Sequence, residues 1–185
     1  IIGLGSTAKI VKGSLVIGAA SGSVVDNVVV RNITFEDAFD FFPQWDPTDS
    51  GGRWNSAYDL VSVMYATHVW IDHNTFSDGS RHDKLYPSPF ASPYDAAEMK
   101  IQHHDGALDI TKTANYVTAS WNHFHDHDKT NLIGSSDSSK LDPGKLRVTF
   151  HNNLFENVGQ RMPRVRYGKI HTYNNYFVGD AAGKY

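Results

Sequence analysis

The chain is 185 residues long, is 40% hydrophobic and carries a formal net charge of −3 at pH 7. That size and apolar content suit one domain with one core, and the acidic balance argues against a nucleic-acid binder. No apolar run reaches the roughly 18 residues of a membrane span, and the absence of cysteine means a fold held without disulfides.

The chain opens on Ile1-Ile2-Gly3-Leu4-Gly5, with neither an initiator Met nor a leader sequence. It is therefore expected to be cut from a longer polypeptide, as one partial domain over residues 1–185. Helix signals are weak, and short alternating β-rich runs dominate. Strands are expected at Val24–Val30, Leu60–Met64, His68–Ile71, Tyr116–Trp121, Leu146–Phe150 and Lys169–Tyr173. Ser77–Pro93, with three prolines, and the Ser- and Asp-rich Gly134–Gly144 read as long loops.

One pattern recurs after the β runs: an asparagine, then an aromatic. It occurs at Asn32–Phe35, Asn74–Phe76, Asn122–Phe124, Asn153–Phe155 and Asn175–Phe177. Phe155 and Phe177 are 22 residues apart (177 − 155), and the earlier intervals are longer. A base period of this size with insertions predicts a solenoid of stacked coils, in which Asn and Phe form ladders and the insertions gather on one face. A β-sandwich with coincidental turns is the alternative.

Three carboxylates, Asp59, Asp105 and Asp109, suggest a cation site, because converging carboxylates repel unless a cation joins them. Ca²⁺ prefers oxygen ligands of this kind. The alternative is that they are solvated turn residues. Arg161-Met162-Pro163-Arg164-Val165-Arg166, together with Lys129, forms a local cationic cluster suited to an anionic substrate, since guanidinium matches carboxylate geometry. The bland reading is a basic edge strand. In Val69-Trp70-Ile71-Asp72-His73, alternation predicts Trp70 and Asp72 on one side and Ile71 and His73 on the other, in a structural role. His123, His125 and His127 alternate as transition-metal ligands could, though His-Asp repeats more often hydrogen-bond in turns.

Taken together, these motifs resemble the pectate lyases of polysaccharide lyase family one. The matching segments are Val69–His73, His104–Ile110, His127–Lys129, Gly134–Asp137, Arg161–Arg166 and Ile170–Asn175, in family order. The resemblance implies an all-β, right-handed parallel β-helix of three sheets, incomplete at both ends. It implies Asp59, Asp105 and Asp109 as Ca²⁺ ligands, and Lys129, Arg161 and Arg166 as substrate-binding residues. Lys129 and Arg161 are then catalytic, with Arg161 matching the family's proposed base. Where some members carry a further aspartate, this chain has Ala57. The activity implied is calcium-dependent β-elimination of polygalacturonate by a secreted, extracellular monomer with no nucleic-acid or membrane partner. Calcium-independent pectin lyase, β-helix polygalacturonase and a non-catalytic carbohydrate-binding β-helix are the competing readings.

Overall fold

The computed structural model describes residues 1–18, 21–48, 52–86 and 101–179. The chain winds through successive coils of three short strands each. The first coil is β1 (Lys9–Val11), β2 (Leu15–Gly18) and β3 (Val25–Arg31). The second is β4 (Thr34–Glu36), an antiparallel hairpin of β5 (Gln44–Asp46) and β6 (Arg53–Asn55), then β7 (Val61–Met64) and β8 (Ala66–Asp72). The third is β9 (Thr75–Ser77), β10 (Leu108–Thr111) and β11 (Asn115–Ser120). The fourth is β12 (His123–Lys129), β13 (Leu132–Ile133) and β14 (Arg147–His151). The fifth is β15 (Leu154–Gln160), β16 (Arg164–Val165) and β17 (Lys169–Tyr173), and β18 (Tyr176–Val178) follows.

Corresponding strands pair in parallel with those of the next coil. Sheet one is β1-β4-β9-β12-β15-β18, sheet two is β2-β7-β10-β13-β16 and sheet three is β3-β8-β11-β14-β17. This is a three-sheet parallel β-helix, and it replaces the sandwich alternative. Among the described residues there is no α-helix, and none that could cross a membrane.

The repeat seen in the sequence is the vertical contact. Phe35, Phe76, Phe124, Phe155 and Phe177 pair rung on rung. Their rings stack at 5.3, 4.8, 5.0 and 4.9 Å between centroids, close to the roughly 4.8 Å strand spacing. Each such pair adds about 0.5–1.5 kcal/mol beyond burial. The asparagine ladder runs beside it. Asn122 Oδ1 accepts from Asn74 N at 3.0 Å, and its Nδ2 donates to Ile71 O at 2.9 Å. Asn153 and Asn175 continue the series.

The bottom of that ladder corrects the sequence reading. Ile33, not Asn32, occupies the rung below Asn74, since Ile33 N donates to Asn74 Oδ1 at 3.1 Å. Asn32 lies one residue earlier, exposed, and donates to the carbonyls of Gly3 and Gly5. It belongs instead to a column of left-handed corner residues: Asn32, His73, Trp121, Asn152 and Asn174, with φ from 52° to 58°. These sharp corners separate sheet three from sheet one. Asparagine adopts this conformation more readily than other non-glycine residues.

The same corner settles the Val69–His73 motif. Trp70 and Asp72 do share a face, where both bond Ser120 Oγ, at 2.8 and 2.7 Å respectively. Ile71 is in the core. His73, however, is at the corner and bonds Asp72 Oδ2 outside the barrel, so it does not follow Ile71 inward. The motif ties one coil to the next, as expected.

Candidate active site

Every predicted site residue except Arg166 lies where sheet one hands over to sheet two. Asp59 immediately precedes Leu60 and β7; Asp105 precedes β10 and Asp109 lies within it; Lys129 ends β12; Arg161 follows β15. They therefore come from four successive coils, and backbone bonds stack these connections. Leu60 N donates to Gly106 O at 2.9 Å, Ala107 N to Thr130 O at 3.0 Å, and Asn131 N to Arg161 O at 2.8 Å. Regular coil stacking thus brings residues far apart in sequence onto one edge.

The carboxylates are close enough to sense one another. Asp59 is pushed up to about 6 by burial and by the charge of Asp105, despite a hydrogen bond from Ser62 Oγ and another from Gly106 N at 2.9 Å. Asp109 is held well above the usual carboxylate range by burial and by the charges of Asp59 and Asp105; Arg161 pulls it the other way. Its Oδ1 accepts from Leu132 N at 3.1 Å. Gly106 makes room for this carboxylate: a Cβ there would lie 2.2 Å from Asp109 Oδ1.

Lys129 is nearly buried. Its Nζ donates to Asp105 Oδ1 at 2.9 Å and to Asn55 Oδ1 at 3.2 Å, so the β5–β6 hairpin contributes to the site. Arg161 adopts a left-handed φ of 63°, and its Nε is buried with no acceptor among the described residues. The same left-handed conformation recurs at other sharp corners of the helix, as at Trp121 and Leu146. Arg166 points elsewhere: Nε bonds Asp137 Oδ1 at 2.7 Å, and Nη1 bonds Gly134 O at 3.2 Å. No hydrogen bond or ion pair connects it to the three carboxylates among the described residues.

Oxygen donors that raise each other's proton affinity, with a glycine clearing space for the most buried one, fit a hard divalent cation. As they stand the side chains are not drawn onto a single point: no trio of acidic or imidazole groups among the described residues forms an assembled cage. The Lys129 ammonium currently engages Asp105.

Behind this corner lies a buried network that the sequence reading missed. His127 Nδ1 bonds Asp78, and its Nε2 faces Lys129 O at 3.3 Å. His104 bonds Asp83 Oδ1 at 3.0 Å and Asp37 Oδ1 at 3.2 Å, and Arg81 clamps Asp37 with bonds as short as 2.7 Å. Burial alone would lower both imidazoles. The hydrogen bond to Asp83 and the charges of Asp78 and Asp83 instead raise His104, and the charge and hydrogen bond of Asp78 raise His127. The two insertions that supply these residues interlock further, with Phe39 stacked on His103 at 4.3 Å.

The alternating histidines form no metal site among the described residues. Asp126 takes a φ of 47°, which breaks the alternation of β12. His123 and His125 remain partly exposed and bond Glu156 and Asp126, while His127 turns inward. Of the predicted loops, Gly134–Gly144 contains no strand. Ser77–Pro93 begins with the end of β9 and includes a short 3₁₀ turn at Asp83–Leu85, and residues 87–93 lie outside the described residues.

The fold is thus a three-sheet parallel β-helix that brings a lysine, an arginine and three carboxylates to one corner. Residues 1–185 match the pectate lyase family over the whole chain, and the chain belongs to that family. It is 50% identical over 183 residues to a pectate lyase of Bacillus subtilis (strain 168), covering 98% of this chain and 40% of that protein. The structure of a pectate lyase from Acidovorax avenae subsp. citrulli superposes with a TM-score of 0.90 at 56% identity, covering 96% of this chain and 39% of the other. A pectate lyase solved for insight into its substrate specificity and anti β-elimination mechanism superposes at 0.85, with 49% identity and coverage of 95% and 41%. The chain thus spans about two fifths of the length of these relatives.

Proposed function

We propose that this chain carries the catalytic corner of a calcium-dependent pectate lyase that cleaves polygalacturonate by β-elimination. The observation that carries this reading is the convergence of Asp59, Asp105, Asp109, Lys129 and Arg161 from four coils on one edge. Family membership and the β-elimination mechanism studied in a relative support it.

β-Elimination removes the proton on C5 of a uronate, breaks the C4–O glycosidic bond and leaves a C4=C5 double bond on the new end. Ca²⁺ held by Asp59, Asp105 and Asp109 would supply Lewis-acid stabilisation of the charge that develops beside the uronate carboxylate. Lys129, fixed by Asp105 and Asn55, adds a positive charge at a set position and orients the substrate carboxylate. Arg161, beside Asp109, acts in a neutral form that neighbouring positive charge favours: it takes the C5 proton and becomes guanidinium, and water supplies the proton to the departing glycosidic oxygen. Arg166, committed to Asp137 and the Gly134 carbonyl, meets the substrate farther along the chain. The protein acts outside the cell as a monomer in this reading.

The test is an ultraviolet product assay on polygalacturonate, with calcium and with a chelator. Unsaturated, absorbing ends that form only with calcium are expected. Full activity in chelator would favour pectin lyase chemistry, cleavage without absorbing ends would mean hydrolysis, and binding without cleavage would mean a carbohydrate-binding β-helix.

A further inference from the structure

The outer face of sheet three carries a groove that the catalytic corner does not use. It has a volume of about 660 Å³. One wall is a row running along the helix axis: His68 on β8, Tyr116 on β11, Arg147 on β14 and Lys169 on β17. Arg147 and Lys169 are direct register partners. The row is organised in advance. His68 stacks on Tyr116 at 5.1 Å and 8° between planes, and the Arg147 guanidinium lies 5.3 Å from the same ring. Thr149 and His171, register partners on β14 and β17, form the opposite wall.

In a chain of net charge −3, none of the residues lining this groove is acidic. Asp26 approaches only to bond His68 Nδ1, at 2.9 Å. Arg147 makes one long bond to Asn115, at 3.5 Å, and the Lys169 ammonium has no partner among the described residues. Arg147 and Lys169 arise from paired strands, so the groove presents two positive charges side by side, as a run of uronate carboxylates requires. Tyr116, stacked on His68 and flanked by Arg147, is half exposed and offers its hydroxyl to sugar hydroxyls, as threonine does from the other wall.

We infer that this groove is a second binding site for an acidic polysaccharide, holding a stretch of chain distant from the point of cleavage. The identity of the occupant rests on the substrate class proposed above; the anionic character rests on Arg147 and Lys169. Such a site would keep the protein on a long polymer between cleavage events, because a second point of attachment raises the effective local concentration of the first.

The experiment measures binding of long polygalacturonate in chelator, which disables calcium-bridged binding at the catalytic corner. The parent protein is expected to bind, with affinity falling as salt rises. The double variant Arg147→Glu/Lys169→Glu is expected to bind at least about tenfold more weakly, with its calcium-dependent rate on trigalacturonate unchanged. Thr149→Lys, which adds a cation to the same groove, should tighten binding and guards against a double variant that fails to fold. Absence of polymer binding by the parent in chelator, unaltered binding by the variants, or equal affinity for polyglutamate would overturn the proposal. Failure of the lyase reading looks different: no unsaturated product with calcium, while binding in chelator persists.

Discussion

Lys129 and Asp105 form an ion pair of 2.9 Å in which the ammonium is nearly buried and the carboxylate is about one-third exposed, at 31%. The pair joins the fourth coil to the third and places one positive charge among three carboxylates. Lys129→Met should leave the helix folded but lower turnover by about 10²-fold, the usual cost of losing one placed charge at a reacting centre. Steady-state rates on polygalacturonate, with circular dichroism as the folding control, check this. Turnover within a few-fold of the parent would remove Lys129 from the mechanism.

Arg161→Lys retains a positive charge but loses the planar guanidinium beside Asp109. Most turnover should disappear while calcium affinity, read by titration calorimetry, stays the same. Near-normal turnover would take the proton-accepting role away from Arg161.

Gly106→Ala tests the space around Asp109. The added methyl would lie 2.2 Å from Oδ1, so the carboxylate or the strand must shift, at a cost of about 1–3 kcal/mol. Loss of calcium binding with only a modest fall in melting temperature is expected. Parental calcium affinity would show that Asp109 does not hold the ion.

The pH behaviour follows from the signs of the shifts. Asp59 is raised from the ordinary carboxylate value to about 6, so in chelator the folded state binds this proton more tightly than the unfolded chain. Its stabilising contribution is complete below about pH 4 and disappears as pH rises through about 6. Melting temperature in chelator should fall across that window, and Asp59→Asn should flatten the fall. Calcium affinity should run the opposite way, strengthening through pH 6 as the ligand deprotonates. His127 is also raised, by Asp78; its contribution is present below about 6.5 and lost as pH rises through its higher folded value. A melting profile flat from pH 4 to 9 would contradict both assignments.

The ladder correction gives a paired test. Asn122→Ala strands the buried Asn74 N–H and Ile71 carbonyl, at about 2–4 kcal/mol for the groups left unsatisfied. Asn32→Gly, which keeps the left-handed corner, removes only exposed bonds to Gly3 and Gly5 and should cost under about 1 kcal/mol. Chemical denaturation distinguishes the two, and equal effects would put Asn32 back in the ladder.

The stacking was legible because it is one-dimensional. A repeat of Asn and Phe reports vertical neighbours directly, and the Phe155–Phe177 interval is one uninterrupted coil. The register at the bottom was not legible, since Asn32 and Asn74 look alike in sequence while differing by one residue in position. The acidic, lysine and arginine residues of the corner were marked by a motif resemblance. Asn55, Asp78 and Asp83 were not marked: they come from insertions, where no periodicity constrains position, and Asn55 and Asp78 are placed by bonds to Lys129 and His127 of β12, Asp83 by its bond to His104. The direction of Arg166 was hidden for a similar reason, because its acceptors lie in the loop after β13.

The insertions 37–60 and 78–107 both leave from sheet one and return into sheet two, and the coils on either side keep their pairing. Closing such an excursion costs little more as it lengthens, about 0.6 kcal/mol for each doubling. Chain can therefore be added over the catalytic edge almost without energetic penalty to the scaffold. The edge proposed to meet the polymer is thus free to diversify in length and chemistry, while the rungs that hold it together are not.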